Sequence, residues 1–394
     1  MDINYDQVYE YRKVFFKWIQ ISKMLNVDIN HLNRWRKSNN FIEPFRHLTD
    51  EEVNEIIANF IITNKDQGDR MAQSHIRSMN LYCTKEQIRS AFILLDPERR
   101  AARRLGNFTL IPRQQYFSKG PLHVWHMDGN HKLNISKFRI IIHGAIDGHS
   151  RALIFLTCSN NNSSKQVLSS FVKGVHANKL INGKLPYTIR FDKGLENVLV
   201  ADLMICLRGE GNQAVLTGKS VHNQRIERIW LDVRKNVIKY IEELFIDMEN
   251  DETILLDRYD DKHLFILHYL FIPHINEKLN IFMTDWNNHM ISDINYSPSQ
   301  ILLLHQDLEP PLIICPPIDC FHRILNDDEY NDDPDNLQMI HTDPVRNPFP
   351  SHEAYEYFIE QINLRNASID INDLHQVKMN KFKWVKNLMY HIIT

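Results

Sequence analysis

The sequence has few cysteines and no long apolar stretch. Its five cysteines are scattered and odd in number, which favours reduced thiols over a disulfide framework. The most apolar run, Leu264–Ile275, is interrupted by Pro273 and is too short to cross a bilayer. The first ten residues include three acids, unlike the basic and apolar start of a secretion signal. These absences predict an intracellular protein.

Little net charge remains over the whole chain, because regions of opposite charge cancel. The net charge is −3 over 394 residues. Residues 1–120 carry +5, residues 121–305 carry zero, and residues 306–394 carry −8. A basic amino-terminal region suits contact with nucleic-acid phosphates, and such binding weakens as the salt concentration rises.

The first 48 residues have the pattern of a helix-turn-helix unit. Val14–Leu25 is an apolar helical run, and Asn26 suits a left-handed turn. Asp28 then suits the N-cap of a second helix, Ile29–Ser38. This pattern favours a recognition helix that contacts DNA, although basic helix pairs also occur in proteins that do not bind DNA. The predicted contacts are Arg34, Arg36 and Lys37.

Residues 49–120 have the pattern of a second helical unit. Thr49 and Glu52 have the spacing of a capping box, which predicts a helix that begins there. A helix is predicted from Asp69 to Met79, and another after the turn that ends at Thr84. The basic tail of this unit supplies four further predicted DNA contacts: Arg99, Arg100, Arg103 and Arg104.

The next region alternates between strand-like and helical patterns. Three strand-like runs, Val124–Leu133, Phe138–Ala145 and Ala152–Thr157, predict an antiparallel meander with a tight turn at residues 147–150. Helical spacing then predicts a helix at residues 163–177. A strand at residues 187–194, another helix, a strand at 214–216 and a long helix at 220–245 follow. The predicted order is β-β-β-α-β-α-β-α.

Three acids occupy corresponding places in this order. Asp128 lies on the first strand, Asp192 ends the fourth, and Glu227 lies on the last helix, with 34 residues between the last two. If the three carboxylates converge, they form an acidic, oxygen-rich pocket that suits magnesium or manganese. The alternative is that each is an ordinary solvated acid. Asp147 precedes a glycine in a tight turn, so we assign it to the turn and leave it out of the catalytic set.

His126 and the last helix offer further candidates. His126 should share a strand face with Asp128, where it could assist proton transfer or simply pack as a hydrogen-bonded histidine. Near Glu227, the polar and basic side chains suit contact with backbone phosphates, although they could equally form an ordinary solvated face. The predicted contacts are Lys219, Asn223, Arg225 and Arg228.

The element order and local strings resemble the integrase catalytic core of the ribonuclease H-like, DDE integrase and transposase superfamily. The strings are Trp-His-Met-Asp-Gly-Asn-His-Lys-Leu, Ile-Asp-Gly-His-Ser-Arg, His-Asn-Gln-Arg-Ile-Glu-Arg-Ile-Trp and Trp-Asn-Asn-His, and the resemblance covers residues 122–300. They look like a eukaryotic, transposon-derived branch. The chain lacks the paired histidines and cysteines of the zinc-binding domain of retroviral integrases, so the helix-turn-helix segment is expected to replace that domain.

The resemblance implies a catalytic triad of Asp128, Asp192 and Glu227 that holds two Mg²⁺ or Mn²⁺ ions. Asp128 would bridge both ions, Asp192 would bind one, and Glu227 the other. The implied activity is phosphodiester cleavage followed by DNA strand transfer. Double-stranded DNA, as element ends and target, is the expected partner, with a homo-oligomer on DNA and a nuclear location. Two alternatives stay open: a domesticated DNA-binding or scaffolding protein without strand transfer, and a ribonuclease H-type nuclease.

The predicted fold class is an α/β ribonuclease H-like core with a mixed five-stranded sheet flanked by helices. All-α helix-turn-helix units precede this core, and a mainly helical extension follows it. The predicted divisions are residues 1–48 and 49–120 for the two helical units, 121–248 for the catalytic core, 249–305 for a helical extension of the core, and 306–394 for an acidic region of unknown role.

Overall fold

A computed structural model describes most of the chain. The described residues are 3–63, 67–96, 118–130, 134–192, 194–209, 212–218, 223–291, 294–304, 313–321, 324–325, 345, 347–365, 370, 373 and 375–393. Among them, no helix is both long enough and apolar enough to cross a membrane.

The elements are named here in chain order. Before residue 97 they are α1 (Tyr5–Lys13), α2 (Trp18–Met24), α3 (Ile29–Ser38), β1 (Arg46–His47), α4 (Asp50–Thr63), α5 (Asp69–Ser78), β2 (Leu81–Tyr82) and α6 (Lys85–Leu95). After residue 117 they are β3 (Val124–Asn130), β4 (Ile141–Asp147), β5 (Leu153–Ser159), α7 (Ser164–Ala177), β6 (Thr188–Asp192), α8 (Val198–Arg208), β7 (Val215–Gly218), α9 (Gln224–Val233), α10 (Lys239–Asn250), α11 (Asp261–Asn288), α12 (Pro298–Leu304), α13 (His352–Leu364) and α14 (His375–Ile393). A π-helical turn, Arg234–Ile238, joins α9 to α10.

The chain divides into two compact units. The first comprises Met1–Phe117 and Thr284–Gln306, and the second comprises Ser118–Met283 and Asp307–Thr394. In the first unit, residues near α12 pack against the amino-terminal helices, where Tyr296 and Leu303 contact the core around Phe16. The predicted division had assigned these residues to an extension of the catalytic core. The division of the chain into five segments, proposed from the sequence, remains a prediction.

The amino-terminal helices form largely where their capping residues predict them. Asp28 accepts hydrogen bonds from the backbone N–H groups of Asn30 and His31 at the start of α3. Thr49 and Glu52 form the reciprocal hydrogen bonds of a capping box at the start of α4. The predicted helix Val14–Leu25 is wrong at its start, because Phe15 adopts a positive φ of 62° that ends helical geometry between α1 and α2.

The second unit is built on a five-stranded sheet with the order β5-β4-β3-β6-β7. The pairs β3–β4 and β4–β5 are antiparallel, whereas β3–β6 and β6–β7 are parallel. Helix α7 packs on β5, and α9 packs on β3 and β4. The predicted order of strands and helices and the predicted fold class are confirmed. The meander forms because three short β-rich runs are separated by local turns, whereas the parallel strands need the crossovers that contain α7 and α8.

Candidate active site

Strand β3 positions the first predicted acid. Side chains alternate between the two faces of a strand. Trp125 is fully buried and faces α7, with 6.3 Å between its ring centroid and that of Phe171. The alternation therefore places His126 and Asp128 together on the opposite face, which α9 covers.

Strand β6 brings the second acid to the same edge of the sheet. Val124 pairs with Thr188, and His126 pairs with Arg190, in parallel register. The pairing ends there, and Asp128 and Asp192 each follow the last paired residues by two positions, at corresponding places on the two strands. Asp192 is the last residue of β6, so its carboxylate lies where the parallel strands end.

Helix α9 carries the third acid and is joined to β3 on both sides of it. Before Glu227, the Nδ2 of Asn223 donates to the carbonyl oxygen of Met127 at 2.8 Å. After it, the Nε1 of Trp230 donates to Oδ2 of Asp128 at 2.8 Å. Positions 223, 227 and 230 share one helix face because they are four and three residues apart. Glu227 therefore faces the strand that carries Asp128.

Electrostatics agree with this convergence. Burial, together with the charges of Asp192 and Glu227, raises the pKa of Asp128 to about 7, against the lowering effect of the hydrogen bonds from Trp230 and Gly129. A buried carboxylate beside two others resists ionisation until a positive charge compensates it. The three carboxylates thus make one electronegative site.

The three acids approach each other without forming a closed coordination cage. In the described part of the chain, no group of three or more His, Cys, Asp or Glu side chains is placed so that it could hold one metal ion. The donors are nevertheless carboxylate oxygens, which divalent Mg²⁺ and Mn²⁺ prefer, and their mutual repulsion favours a bound cation.

His126 is a packed and hydrogen-bonded histidine. It is 1% exposed, and its Nδ1 lies 2.7 Å from Oδ1 of Asn223. Burial, together with the charges of Arg190 and Arg225, lowers the pKa of His126 to about 4, against the raising effect of its hydrogen bond with Asn223. The imidazole is therefore neutral near pH 7. This placement favours the packing interpretation over a role in proton transfer.

Asp147 is a turn residue at the far end of β4 from the acid cluster. It is fully buried and pairs with Trp125, whereas Asp128 pairs with Gly144. Its carboxylate accepts hydrogen bonds from the backbone N–H groups of Leu122, His149 and Ser150 and from the Ser150 hydroxyl. These bonds account for the residue without a catalytic role, as the sequence indicated.

Of the three predicted DNA contacts on α3, two are exposed and one is half-buried. Arg34 and Lys37 are exposed and lie three residues apart on the same face. Arg36 is half-buried, with its guanidinium 4.8 Å from the Trp18 ring. The contacts predicted at Arg99, Arg100, Arg103 and Arg104 lie outside the described residues.

The contacts predicted near Glu227 differ in their surroundings. Arg228 is exposed, with its Nε 4.0 Å from Oδ2 of Asp232, and Arg225 is half-buried. Asn223 is 2% exposed, and both polar atoms of its amide face β3. This favours a structural role for Asn223 over the predicted contact with DNA. Lys219 lies outside the described residues.

Two residues of this site escaped the sequence-based prediction. Trp230 was not among the predicted site residues, yet its N–H group donates a hydrogen bond to Asp128. Gly144 pairs with Asp128 on β4, and a Cβ atom there would lie 3.3 Å from Cη2 of Trp230. Its lack of a side chain therefore makes room for the indole. The spacing of Trp230 from Glu227 was a usable signal for the first residue, but no local pattern marks the second.

Comparisons with known proteins place the site in a family context. Residues 115–309, just under half of the chain, match the family model described as integrase core domain. No curated protein matches the chain. Among solved structures, a chain of the "CryoEM structure of simian T-cell lymphotropic virus intasome in complex with PP2A regulatory subunit B56 gamma" is similar at 16% identity. That match covers 66% of this chain and 78% of the other, with a TM-score of 0.32.

Proposed function

We propose that the protein cleaves and joins DNA strands by metal-dependent phosphodiester transfer, as its match to the integrase core domain over residues 115–309 supports. The observation that carries the proposal is the convergence of Asp128, Asp192 and Glu227. The three residues come from two adjacent parallel strands and a helix joined to one of them. The negative charges of Asp192 and Glu227 are close enough to Asp128 to raise its pKa.

The three carboxylates would hold the divalent cations. Asp128 is hydrogen-bonded to the helix that carries Glu227, and the charges of both Asp192 and Glu227 raise its pKa, so these three residues would hold the cations together. When bound there, Mg²⁺ or Mn²⁺ would supply positive charge for an in-line displacement at phosphorus. The residues present fit this group because they offer anionic oxygens at one place and no competing soft ligand, such as a thiolate, is part of the set.

The remaining residues would hold the substrate and the acids in place. Trp230 orients the carboxylate of Asp128, and His126 stays neutral while bonded to Asn223. Arg225 and Arg228 on α9 would contact DNA phosphates beside the acids. Water would attack a phosphodiester and break its bond to the 3′ oxygen, which leaves as a 3′ hydroxyl. That hydroxyl would attack the phosphorus of a phosphodiester in a second duplex and displace the 3′ oxygen there, so that no covalent protein intermediate is needed.

The amino-terminal unit would supply DNA binding. Arg34 and Lys37 project from α3 into solvent, and the first 120 residues carry a net charge of +5. Such a surface binds phosphates with a strong dependence on salt. A homo-oligomer on DNA and a nuclear location belong to the same proposal, because joining two duplexes needs both to be held and the substrate is DNA.

The test uses supercoiled plasmid and labelled short DNA duplexes with Mg²⁺ or Mn²⁺. Wild-type protein is expected to nick the plasmid and to join labelled strands to it, and Asp128→Asn and Glu227→Gln are expected to abolish both reactions. Asp202→Asn is the matched control, because Asp202 is an exposed acid on α8. Equal activity in the wild type and the triad variants would refute the proposal.

A parallel reaction separates the related activities. An RNA–DNA hybrid of the same sequence is expected to be cut no better than duplex DNA. Triad-dependent cleavage of the hybrid alone would identify a ribonuclease H-type nuclease. Salt-dependent DNA binding without any cleavage would identify a binding protein that has lost strand transfer.

A further inference from the structure

We propose that two hydrogen-bonded bridges between β3 and α9 set the position of Glu227 relative to Asp128, so that Asn223 and Trp230 are positioning residues for the metal site. The Asn223 bridge comprises Asn223 with His126 and Met127, and the Trp230 bridge comprises Trp230 with Asp128. This inference rests on the proposed function, since it assigns these residues a role in holding the carboxylates that would bind the cations.

The bridges flank Glu227 along one face of the helix. Asn223 lies four residues before it and Trp230 three residues after it, about one helical turn in each direction. Hydrophobic packing alone would fix the distance between helix and strand but would tolerate sliding or rotation of α9. Directional hydrogen bonds at two points on one face restrict both movements.

The Asn223 bridge is fully defined by its donors and acceptors. The amide Nδ2 donates to the carbonyl oxygen of Met127 at 2.8 Å, so Oδ1 is the atom that faces His126 at 2.7 Å. An amide oxygen can only accept, so Nδ1 of His126 carries the hydrogen. Asn223 thereby contacts the two residues that immediately precede Asp128 on β3, and it does so from the N-cap position of α9.

The Trp230 bridge acts on the acid itself. An indole N–H can only donate, so its bond to Oδ2 of Asp128 restricts the orientation of the carboxylate and leaves lone pairs on both oxygens for a cation. The indole is 5% exposed and lies over Gly144. A Cβ atom at position 144 would lie 2.6 Å from Cδ2 of Leu156 and 3.3 Å from Cη2 of Trp230. The glycine on β4 and the tryptophan on α9 are thus fitted to each other beside Asp128.

The site also provides a matched control. Trp125 is fully buried on the same strand as Asp128 but on the opposite face of the sheet. Its indole N–H has no hydrogen-bond partner among the described residues. Trp230→Phe and Trp125→Phe therefore remove the same atoms from buried positions, but only Trp230→Phe removes a bond to a carboxylate.

The experiment measures Mn²⁺ binding to the full-length protein by electron paramagnetic resonance of free Mn²⁺, beside thermal unfolding of each variant. Trp230→Phe is expected to weaken Mn²⁺ binding by about 10- to 100-fold, the usual effect of losing a group that orients a metal ligand. Asn223→Ala is expected to act in the same direction. Trp125→Phe is expected to bind Mn²⁺ like the wild type, even if its melting temperature falls as much as that of Trp230→Phe.

An Asp128→Asn arm separates this inference from the proposed function. Loss of Mn²⁺ binding in Asp128→Asn with wild-type binding in Trp230→Phe and Asn223→Ala would overturn the positioning role alone. Equal Mn²⁺ binding in the wild type and Asp128→Asn would overturn the metal site, and both proposals with it. A loss in Trp125→Phe equal to that in Trp230→Phe would reduce the effect to general packing and would also overturn the positioning role.

Discussion

Replacing Asp128 with asparagine is expected to stabilise the metal-free protein at neutral and alkaline pH. Burial and the neighbouring acids Asp192 and Glu227 disfavour the ionised form of Asp128 in the folded state. Asparagine removes that charge, and its carbonyl oxygen can still accept the hydrogen bond from Trp230. The variant should therefore lose metal binding and gain stability at the same time, as expected for a site whose charges are arranged for a ligand.

The magnitude follows from the pKa of Asp128. The pKa rises from 3.8 to about 7, and because one pKa unit corresponds to about 1.4 kcal/mol, the ionised side chain costs the folded state up to about 4 kcal/mol. Domains of roughly 150–250 residues gain about 2–4 °C in Tm for each kcal/mol. The melting temperature of Asp128→Asn should therefore exceed that of the wild type by up to about 8–16 °C.

The effect has a defined pH dependence. Asp128 releases its proton near its ordinary pKa of 3.8 in the unfolded chain but only near 7 in the folded protein. Between these values the folded state binds more protons, so the stability of the wild type falls as the pH rises. The advantage of Asp128→Asn should be absent below about pH 4, grow between about pH 4 and 7, and be complete above that range.

The assay is thermal unfolding in EDTA at several pH values, repeated with Mg²⁺. Mg²⁺ should raise the Tm of the wild type and leave that of Asp128→Asn unchanged. Asp147→Asn is the control, because its carboxylate accepts four hydrogen bonds and an amide nitrogen would face donors. That variant should be less stable by about 1–3 kcal/mol. A metal-free Asp128→Asn variant no more stable than the wild type near pH 8 would refute the reasoning.

Two further predictions concern packing and DNA binding. Gly144→Ala should destabilise the protein by about 1–3 kcal/mol, because the added Cβ would lie 2.6 Å from Leu156 and 3.1 Å from the carbonyl oxygen of Phe155. Denaturant-induced unfolding measures this loss, and an unchanged midpoint would contradict the close packing. Replacing Arg34 and Lys37 with alanine should weaken DNA binding and reduce the slope of log K against log salt by about 0.9 for each lost phosphate contact. Fluorescence anisotropy over a salt series measures this, with Lys173→Ala on α7 as a surface control, and an unchanged slope would place DNA recognition elsewhere.

Local sequence patterns were sufficient for much of the core. The glycine that follows Asp128 and the turn at Asp147 mark strand and turn positions through residues adjacent in the chain. The capping residues Asp28 and Thr49 likewise mark helix starts, and both make the expected hydrogen bonds. Such signals need no knowledge of distant contacts, which is why the order of strands and helices could be predicted.

Contacts between distant residues were not accessible in this way. Asn223 bonds to Met127 and Trp230 bonds to Asp128 across about a hundred residues of sequence. A polar residue on a basic helix face was therefore interpreted as a DNA contact, although its amide faces β3. The helix predicted at Val14–Leu25 was also started too early, because an apolar run at helical spacing does not reveal the positive φ of Phe15.

The central claim is that Asp128, Asp192 and Glu227 form one divalent-metal site. The most direct measurement is anomalous X-ray diffraction from crystals of the full-length protein soaked in Mn²⁺, with Asp128→Asn crystals as the control. Anomalous peaks bound by carboxylate oxygens of these three residues are expected in the wild type and should be lost in the variant. Peaks that appear only elsewhere, or that persist unchanged in Asp128→Asn, would contradict it.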